Sequence, residues 1–471
     1  MAEWADFPWN ERMFLSADEA ILSKAVASVE NGYQNAAGGH SRYPGLTSFA
    51  TGLGGTATYV FQKLDNLIAV TDQGRTFRIG QDGSVVDCTG VPVSGGQRVI
   101  FDATDDGRVV MAAGGPIIQL QGEKTTILSP NAPNSTHVAF IEGYLIAIET
   151  GTGRFNYSDP GAYTTWNPLS VFTADAKADP VVAVVVTPYT ELMVAGTEHI
   201  EQYELLANGN QPFTRRWSTG QGVRYPYTLL ADWTGTYGIN SRFEFVRFYG
   251  QISQDQGSDI NQVLQNVDDW TGAWTGEISV SGQKHIMLQA PNASNIYGTK
   301  GITLMLDYQI RKWSFLYGWD ATLQRPTGFP AQSITRAWGK VYVGVPGGVA
   351  LVDGTNYTVL GKPYPFLIRS AHVSKWGPSR IDEVRLRLKR GLGPIGVSPS
   401  ALPQISLRVN RDNEGFDQPE FEDLGQPGER TMTIRFGGQG IADTWQFEIA
   451  VTDNVPVEIT NMQVFVERMR W

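Results

Sequence analysis

Cysteine and histidine are scarce in this chain. Its 471 residues include one cysteine, Cys88, and five histidines. A single thiol excludes an intrachain disulfide framework and any metal site built from several cysteines. Five imidazoles leave little material for acid–base catalysis, and no HExxH motif, nucleophile elbow or Ser/His/Asp order occurs. We therefore predict a protein that is not an enzyme, with no catalytic residue, no metal ligand and no bound cofactor.

Charged residues and long apolar runs are also few. Only 18% of the residues are charged, the net charge is −10, and the run VVAVVV at Val181–Val186 is far too short to span a bilayer. The start MAEWADFPWN lacks the basic and apolar regions of a secretory signal. The acidic balance argues against wrapping nucleic acid through phosphate neutralisation. We expect no membrane-spanning segment and no wrapping of nucleic acid, while a local basic patch is compatible with this charge.

Turn residues and short β-branched runs are abundant instead. The chain has 52 glycines and 25 prolines, and a strand–turn–strand theme repeats from about Thr56 to Leu360, as in LIAVTDQGRTFRIG and KVYVGVPGGVALVDG. The repeats start roughly 40 residues apart, which is typical of propeller blades. This pattern predicts an all-β protein containing an irregular β-propeller with six or seven blades. A succession of β-sandwiches is the alternative.

The two ends of the chain differ from this repeat. SADEAILSKAVASVENG predicts a helix with Ser16 as N-cap, Glu19 completing a capping box and Gly32 as the stop. Together with a glycine-rich extended segment, this helix defines residues 1–50, and the propeller spans 51–362. Residues 363–471 contain alternating strands such as EVRLRLKR and predict a C-terminal antiparallel β-sandwich.

The stretch ELMVAGTEHIEQYEL, from Glu191 to Leu205, concentrates acidic residues around one histidine. A helix would gather the glutamates on one face, whereas a strand separates them by its period of two. The Gly196-Thr197 step favours a β-hairpin, in which only His199 and Glu201 can meet. A metal site needs a third ligand, which no recognisable spacing supplies.

Five residues are candidates for an interface. Arg385, Arg387 and Lys389 alternate with apolar residues in VRLRLKR, so that the three cations share one strand face. That face suits DNA or an acidic partner, and a charge-guarded edge strand is the alternative. Trp270 and Trp274, in DDWTGAWTG, fit a sugar platform or a protein contact, or burial between blades.

Three segments carry a resemblance to a known family. They are NGYQNAAGGHSRYPGLTSF, PVVAVVVTPYTELMVAGTEHIEQYEL, and the C-terminal part from LRVNRDNEGF to NMQVFVE. Their aromatic-Pro-Gly step, their strand, Gly-turn and I-E-x-Y hairpin, and their final strand pair occur in the same order along the chain. The chain resembles the packaged-DNA stabilisation proteins, the tail accessory or hub proteins of short-tailed bacteriophages.

The resemblance implies a structural virion protein that assembles in the host cytoplasm. It implies a homohexameric ring, a hub or nozzle attached below the portal and adaptor proteins. Such a ring closes the DNA channel, retains packaged DNA, and anchors tail fibre, spike or needle proteins. Acidic side chains lining the channel would let DNA slide during ejection. A carbohydrate-binding or glycoside-hydrolysing propeller is the alternative, which would need a concave site with two carboxylates beside exposed aromatics.

Overall fold

The computed structural model describes residues 2–6, 26–35, 38–55, 58–63, 65–206, 211–257, 260–390, 403–424 and 431–469. Strands dominate these residues, beside one short helix, α1 (Asn261–Gln265), and a 3-10 turn at Pro226–Thr228. None of the described helices has the length and apolar character needed to cross a membrane. The predicted all-β class is confirmed.

The first five strands lie outside the consecutive repeat. They are β1 (Ala2–Asp6), β2 (Val26–Glu30), β3 (Gly32–Gln34), β4 (His40–Arg42) and β5 (Gly45–Thr51). Residues 7–25, which hold Ser16 and Glu19, lie outside the described residues. The helix prediction is wrong for its C-terminal part, because Val26–Glu30 forms the strand β2 instead. Pairing of this segment with a C-terminal strand, and burial of Val29 there, outweigh its local helical pattern.

Six consecutive four-stranded antiparallel units follow, each a meander in sequence order. Blade 1 is β6 (Thr58–Lys63), β7 (Asn66–Thr71), β8 (Thr76–Ile79) and β9 (Val85–Asp87); blade 2 is β10 (Ile100–Ala103), β11 (Val109–Ala112), β12 (Ile118–Leu120) and β13 (Thr125–Ile127). Blade 3 is β14 (Val138–Ile141), β15 (Tyr144–Ile148), β16 (Arg154–Tyr157) and β17 (Val171–Thr173); blade 4 is β18 (Val181–Val186), β19 (Leu192–Gly196), β20 (Ile200–Leu205) and β21 (Phe213–Thr219). Blade 5 is β22 (Leu230–Asp232), β23 (Gly235–Ile239), β24 (Phe245–Tyr249) and β25 (Ile252–Asp255); blade 6 is β26 (Trp274–Val280), β27 (Gln283–Ser294), β28 (Lys300–Asp307) and β29 (Lys312–Phe315).

The seventh blade joins the two ends of the repeat. After a hairpin of β30 (Tyr317–Asp320) and β31 (Arg325–Gly328) come β32 (Ser333–Ala337), β33 (Lys340–Val345) and β34 (Gly348–Asp353). The fourth strand of this sheet is β5, which pairs antiparallel with β34. An N-terminal strand therefore closes the ring, so that no blade needs an unpaired edge at the junction. The prediction of six or seven blades is confirmed at seven.

Blade packing follows from the period of two along each strand. In β11, Val109 and Met111 belong to the apolar cluster shared with blade 1, whereas Val110 and Ala112 belong to the cluster shared with blade 3. Similar clusters lie between every neighbouring pair of blades, including blades 7 and 1. Since each buried aliphatic side chain stabilises by about 1.5–3 kcal/mol, the ring owes its rigidity to these seven interfaces.

The remaining strands form a sandwich. They are β35 (Phe366–Ser370), β36 (Ser379–Arg390), β37 (Gln404–Arg411), β38 (Glu420–Asp423), β39 (Thr431–Ala442), β40 (Trp445–Val451) and β41 (Val457–Arg468). One sheet has the order β3-β4-β41-β36-β39, with β1 also paired to β41, and the other contains β2-β35-β40-β37-β38. Apolar side chains from both sheets, among them Leu386 and Phe447, share one core. The predicted C-terminal sandwich is confirmed, and the N-terminal strands β1–β4 complete its sheets.

The second sheet is also continuous with the propeller. Glu30 of β2 pairs with Phe315 of β29 in a parallel contact, which joins blade 6 to the sandwich sheet. The buried Glu30 carboxylate accepts a hydrogen bond from the Tyr297 hydroxyl at 2.6 Å, and burial raises its pKa. The domain boundaries near residues 50 and 362 stay predictions. Strand β5 begins before the first boundary and nevertheless belongs to the ring of blades.

Candidate interaction surfaces and buried polar clusters

The histidine-containing stretch folds as the predicted hairpin of β19 and β20. His199 Nε2 lies 3.2 Å from Glu201 Oε1, as the period of two predicts. A third group, Asp179, comes from the loop before β18 and places Oδ2 2.9 Å from His199 Nδ1. All three side chains are buried. No set of three or more His, Cys, Asp or Glu side chains suited to a metal occurs in the described part of the chain.

Further hydrogen bonds satisfy the Glu201 carboxylate. Tyr203 donates its hydroxyl at 2.6 Å, the backbone N–H of Ala176 donates at 2.8 Å, and Arg215 Nη1 lies 3.3 Å away. Burial, together with this carboxylate, raises the pKa of Tyr203. Burial alone would raise the pKa of Asp179, but hydrogen bonds from Thr197 and its neighbours hold it below its usual value. The cluster fastens the loop before blade 4 to the hairpin, which is an architectural role.

The strand face that carries Arg385, Arg387 and Lys389 has the predicted alternation. Val384 and Leu386 are fully buried, while Arg387 and Lys389 are exposed. However, β36 pairs with β39 on one side and β41 on the other. The alternative of an edge strand is therefore wrong, and edge protection does not explain these charges.

Neighbouring groups partly neutralise this basic face. Arg385 Nε lies 2.7 Å from Glu383 Oε1, and its guanidinium carbon lies 3.8 Å from the centroid of the Trp4 ring. Lys389 Nζ lies 3.4 Å from Glu458 Oε2. Arg387 has no ion-pair partner among the residues that the structure describes. We define the basic face as Arg385, Arg387 and Lys389, and its role at an interface stays a prediction.

The two tryptophans singled out in the sequence are buried between structural elements. Trp270 is 7% exposed and stacks on Tyr225 with ring centroids 4.9 Å apart. Trp274 is 2% exposed, and its Nε1 donates to Gln289 Oε1 at 2.8 Å. Their burial agrees with the packing alternative. It contradicts an exposed sugar platform built from these two rings.

A groove between blades 4 and 5 carries the exposed aromatics that sequence reasoning missed. It has a volume of about 450 Å³, and Tyr189, Trp217 and Tyr249 line it. Tyr189 and Tyr249 are more than half exposed, and Trp233, at the β22–β23 turn, is 77% exposed. We call this the blade 4–5 groove. The signal in the sequence was the position of Tyr189 and Trp233 at turns and of Tyr249 at the end of a strand.

Side chains from several blades meet near the axis of the propeller. Tyr227 lines two cavities, one of about 780 Å³ and one of about 420 Å³, and stacks on the buried ring of His137. The guanidinium carbon of Arg98, which precedes β10, lies 4.4 Å from the centroid of the Trp274 ring of blade 6. Because side chains from different blades meet there, the axis is not a passage for duplex DNA.

Several solved structures are distantly similar to this chain. One is an extracellular domain of a putative hybrid two-component system from B. thetaiotaomicron, with 11% identity and a TM-score of 0.45; the match covers 66% of this chain and 40% of that one. A streptogramin B lyase has 9% identity and a TM-score of 0.43, covering 65% of this chain and 97% of that one. Virginiamycin B lyase from Staphylococcus aureus has the same identity and TM-score, with 65% and 98% covered. These identities and TM-scores do not support the transfer of any activity from these proteins to this chain.

Comparison with protein families is more informative. No curated protein matches the chain. The family model described as Phage_stabilise, Bacteriophage P22 Gp10, beta-propeller, matches residues 25–223. This segment contains β2 to β21, hence blades 1 to 4 and the strand that closes blade 7. The family resemblance predicted from the sequence is thus confirmed by this match over residues 25–223.

Proposed function

We propose that this protein is a structural component of a phage tail that stabilises packaged DNA. As a hub or nozzle, it attaches below the portal and adaptor and closes the DNA channel after packaging. The observation that carries the proposal is the family match over residues 25–223, which includes both the closure strand and four blades. The closed ring of seven blades supports it, because a stiff body with few open edges suits a part that bears load and resists aggregation.

The side chains that meet near the propeller axis limit where DNA would pass. Since Arg98 and Trp274 meet across the axis of one propeller, the channel is formed between copies of the chain. A closed ring of six copies supplies such a channel by cyclic symmetry. The net charge of −10 fits an acidic lining that repels the DNA backbone, so DNA passes without sequence-specific binding.

Two surfaces suit the contacts that a ring protein makes. The basic face is a local cationic patch on an acidic chain, so an acidic surface of the neighbouring copy or of the adaptor complements it. The blade 4–5 groove, with Tyr189 and Tyr249 exposed, has the aromatic character of interface centres. We assign it to a tail fibre, spike or needle protein.

Cryo-electron microscopy of intact virions tests the assembly. We expect six copies of this fold in a ring between the adaptor and the distal tail, with the basic face within a protein contact. Density for the protein outside the tail, or a ring through which DNA threads each propeller axis, would contradict the proposal.

Carbohydrate binding is a second candidate, favoured by the exposed rings of the blade 4–5 groove. Glu191 is the one carboxylate among its described lining residues, and it is engaged by Arg216 and Gln202. Hydrolysis of a glycoside uses two carboxyl groups, so the groove fits glycan binding better than glycan cleavage. A glycan array with the native protein and Tyr249→Ala tests this candidate, since saturable binding that the substitution abolishes would favour it.

A further inference from the structure

The C-terminal sandwich carries opposite charges on two of its surfaces. The first is the basic face on β36, beside which lies Arg435 of β39, an exposed residue in register with Arg385. Among the described residues, the ion pairs of these four cations involve two carboxylates, Glu383 and Glu458. Arg387, the middle cation, is exposed and takes part in none of these ion pairs. The surface therefore keeps a positive excess that is open to a partner.

The second surface is the edge strand β38 with the segment before it. Residues 412–424 contain six carboxylates and neither lysine nor arginine. In the described part of the chain β38 is the last strand of its sheet and pairs with β37 alone, and all four of its residues are exposed. We call Glu420–Asp423 the acidic edge. The Glu422 carboxylate has no hydrogen-bond or ion-pair partner among the described residues.

An aromatic ring distinguishes the acidic edge from an edge that is merely protected by charge. Phe421 lies between two glutamates and is 58% exposed. Charged side chains alone keep an edge strand from pairing, whereas an exposed aromatic ring is characteristic of protein interfaces. A ring beside a carboxylate suits an arginine, which stacks on the ring and pairs with the carboxylate.

The basic face already contains one contact of this kind. The guanidinium carbon of Arg385 lies 3.8 Å from the centroid of the Trp4 ring, and its Nε lies 2.7 Å from Glu383 Oε1. Arg387 is two residues further along the same strand face and has no such ion pair among the described residues. Phe421 and Glu422 of another molecule would supply the ring and the carboxylate.

The arrangement of the two surfaces favours a second copy of this chain as the occupant. Neither surface complements itself, because two basic faces or two acidic edges would repel each other. A two-fold dimer through either surface is therefore disfavoured. Rotation about a ring axis instead brings two different surfaces of adjacent copies together. Each copy then supplies one basic face and one acidic edge, so that every charged surface in a closed ring is paired.

We propose that the acidic edge of one copy docks on the basic face of the next copy, with Phe421 and Glu422 against Arg387 of the neighbour. This inference rests on the proposed tail ring and names the surfaces through which its copies meet. It assigns the basic face to the neighbouring copy rather than to the adaptor.

Charge reversal with complementation tests the assignment. Arg387→Glu with Lys389→Glu gives a chain whose two surfaces are both acidic, and Glu420→Lys with Glu422→Lys gives one whose two surfaces are both basic. Each chain alone should enter tail complexes at least about tenfold less than the native chain. An equimolar mixture should recover to within about twofold of the native level, because the two chains can alternate around a ring with an even number of copies.

A matched control separates this contact from a general effect of charge. Glu123→Lys with Glu198→Lys reverses two exposed carboxylates of blades 2 and 4 and changes the net charge by the same amount as the acidic-edge variant. This chain should enter tail complexes normally. Sedimentation of the assembly mixtures, with quantification of each chain by mass spectrometry, measures incorporation.

Disulfide trapping decides the outcome if a reversed chain does not fold. Cys88, the one native cysteine, is buried. Tail complexes assembled from chains with Arg387→Cys and chains with Phe421→Cys should give disulfide-linked dimers on mild oxidation. Trp233→Cys, at an exposed position of blade 5, replaces Phe421→Cys as the control and should give none.

The outcomes separate this inference from the proposed function. Native chains that enter tail complexes, together with a mixture that recovers no better than either reversed chain alone, would overturn the contact between copies and leave the tail role standing. An equal loss with Glu123→Lys and Glu198→Lys, or equal trapping with Trp233→Cys, would also overturn the contact. Failure of the native chain to enter tail complexes would overturn the proposed function and this inference with it.

Discussion

Arg42 Nη2 donates to the backbone carbonyl of Tyr357 at 3.1 Å, and the guanidinium lies over the ring of the same residue. Arg42 also donates to the carbonyls of Tyr364, Asp453 and Val455. The side chain is 3% exposed, and burial lowers its pKa to about 10. One residue of β4 therefore fastens the segment that leaves blade 7 to the loop before β41 of the sandwich.

Replacement of Arg42 by methionine should loosen this junction. The change leaves one buried carbonyl and three partly buried carbonyls without this donor, so we expect a loss of about 3–5 kcal/mol in the free energy of unfolding. Urea denaturation followed by tryptophan fluorescence measures it. Arg380→Met, at an exposed arginine paired with Asp382, should cost no more than about 0.5 kcal/mol. Equal losses for the two variants would show that Arg42 is not a clamp.

The buried carboxylate of Glu201 gives a second stability prediction. Glu201→Gln removes a charged acceptor from Tyr203 and Arg215, and we expect a cost of about 2–4 kcal/mol. Thermal unfolding of the purified chain checks the value. Glu198→Gln, at an exposed position of the same hairpin, is the control and should be nearly neutral. A nearly neutral Glu201→Gln would mean that the cluster does not hold the hairpin to its neighbouring loop.

His137 makes stability depend on pH. Burial lowers its pKa from the ordinary 6.5 to about 3. Between these values the unfolded chain binds a proton that the folded chain refuses, so stability falls as the pH falls. The contribution of one group is at most about 1.4 kcal/mol per pH unit.

The substitution His137→Phe isolates this contribution. It keeps a ring against Tyr227 and removes the titrating group, so the fall in stability from pH 6.5 to pH 4 should be shallower than in the native chain. His40 and His285, whose pKa values burial lowers to about 4, act in the same direction in both proteins. Thr173→Val, at an exposed position of β17, keeps every imidazole and should retain the native slope. Urea midpoints across this pH range measure the slopes, and parallel slopes for His137→Phe and the native chain would refute the assignment.

The basic face predicts an effect on association without an effect on folding. Arg387→Glu and Lys389→Glu reverse two exposed charges, and together they should change the free energy of unfolding by no more than about 1 kcal/mol. Incorporation into tail complexes should fall several-fold, because like charges would face the acidic partner. Sedimentation of assembly mixtures and urea denaturation give the two readouts. Normal incorporation of the doubly substituted chain would show that the basic face is not part of the interface.

The local patterns were predictable, and they account for the strands and the hairpin. Period-two alternation placed Val384 and Leu386 inside and Arg387 outside, because β36 has one buried face. The same alternation also predicted that the side chains of His199 and Glu201 meet on one side of the hairpin. Asp179, twenty residues from His199, could not be predicted, since a loop of undetermined path carries it into the cluster.

The distant pairings were beyond local sequence signals. Val26–Glu30 has a helical spacing of apolar residues, yet it pairs with β35 of the C-terminal sandwich. Closure of the ring by β5 and β34 likewise joins segments some three hundred residues apart. Burial of Trp270 and Trp274 depends on which blades face them, which an alternating pattern does not encode. Such long-range contacts depend on the whole fold.

Retention of DNA by phage particles tests the central claim most directly. Heads packaged in cells that lack this protein should release their DNA on purification, and the native chain supplied in trans should restore retention. Quantitative measurement of encapsidated DNA before and after purification gives the result. Particles made without the protein that keep their full DNA content would contradict a role in stabilising packaged DNA.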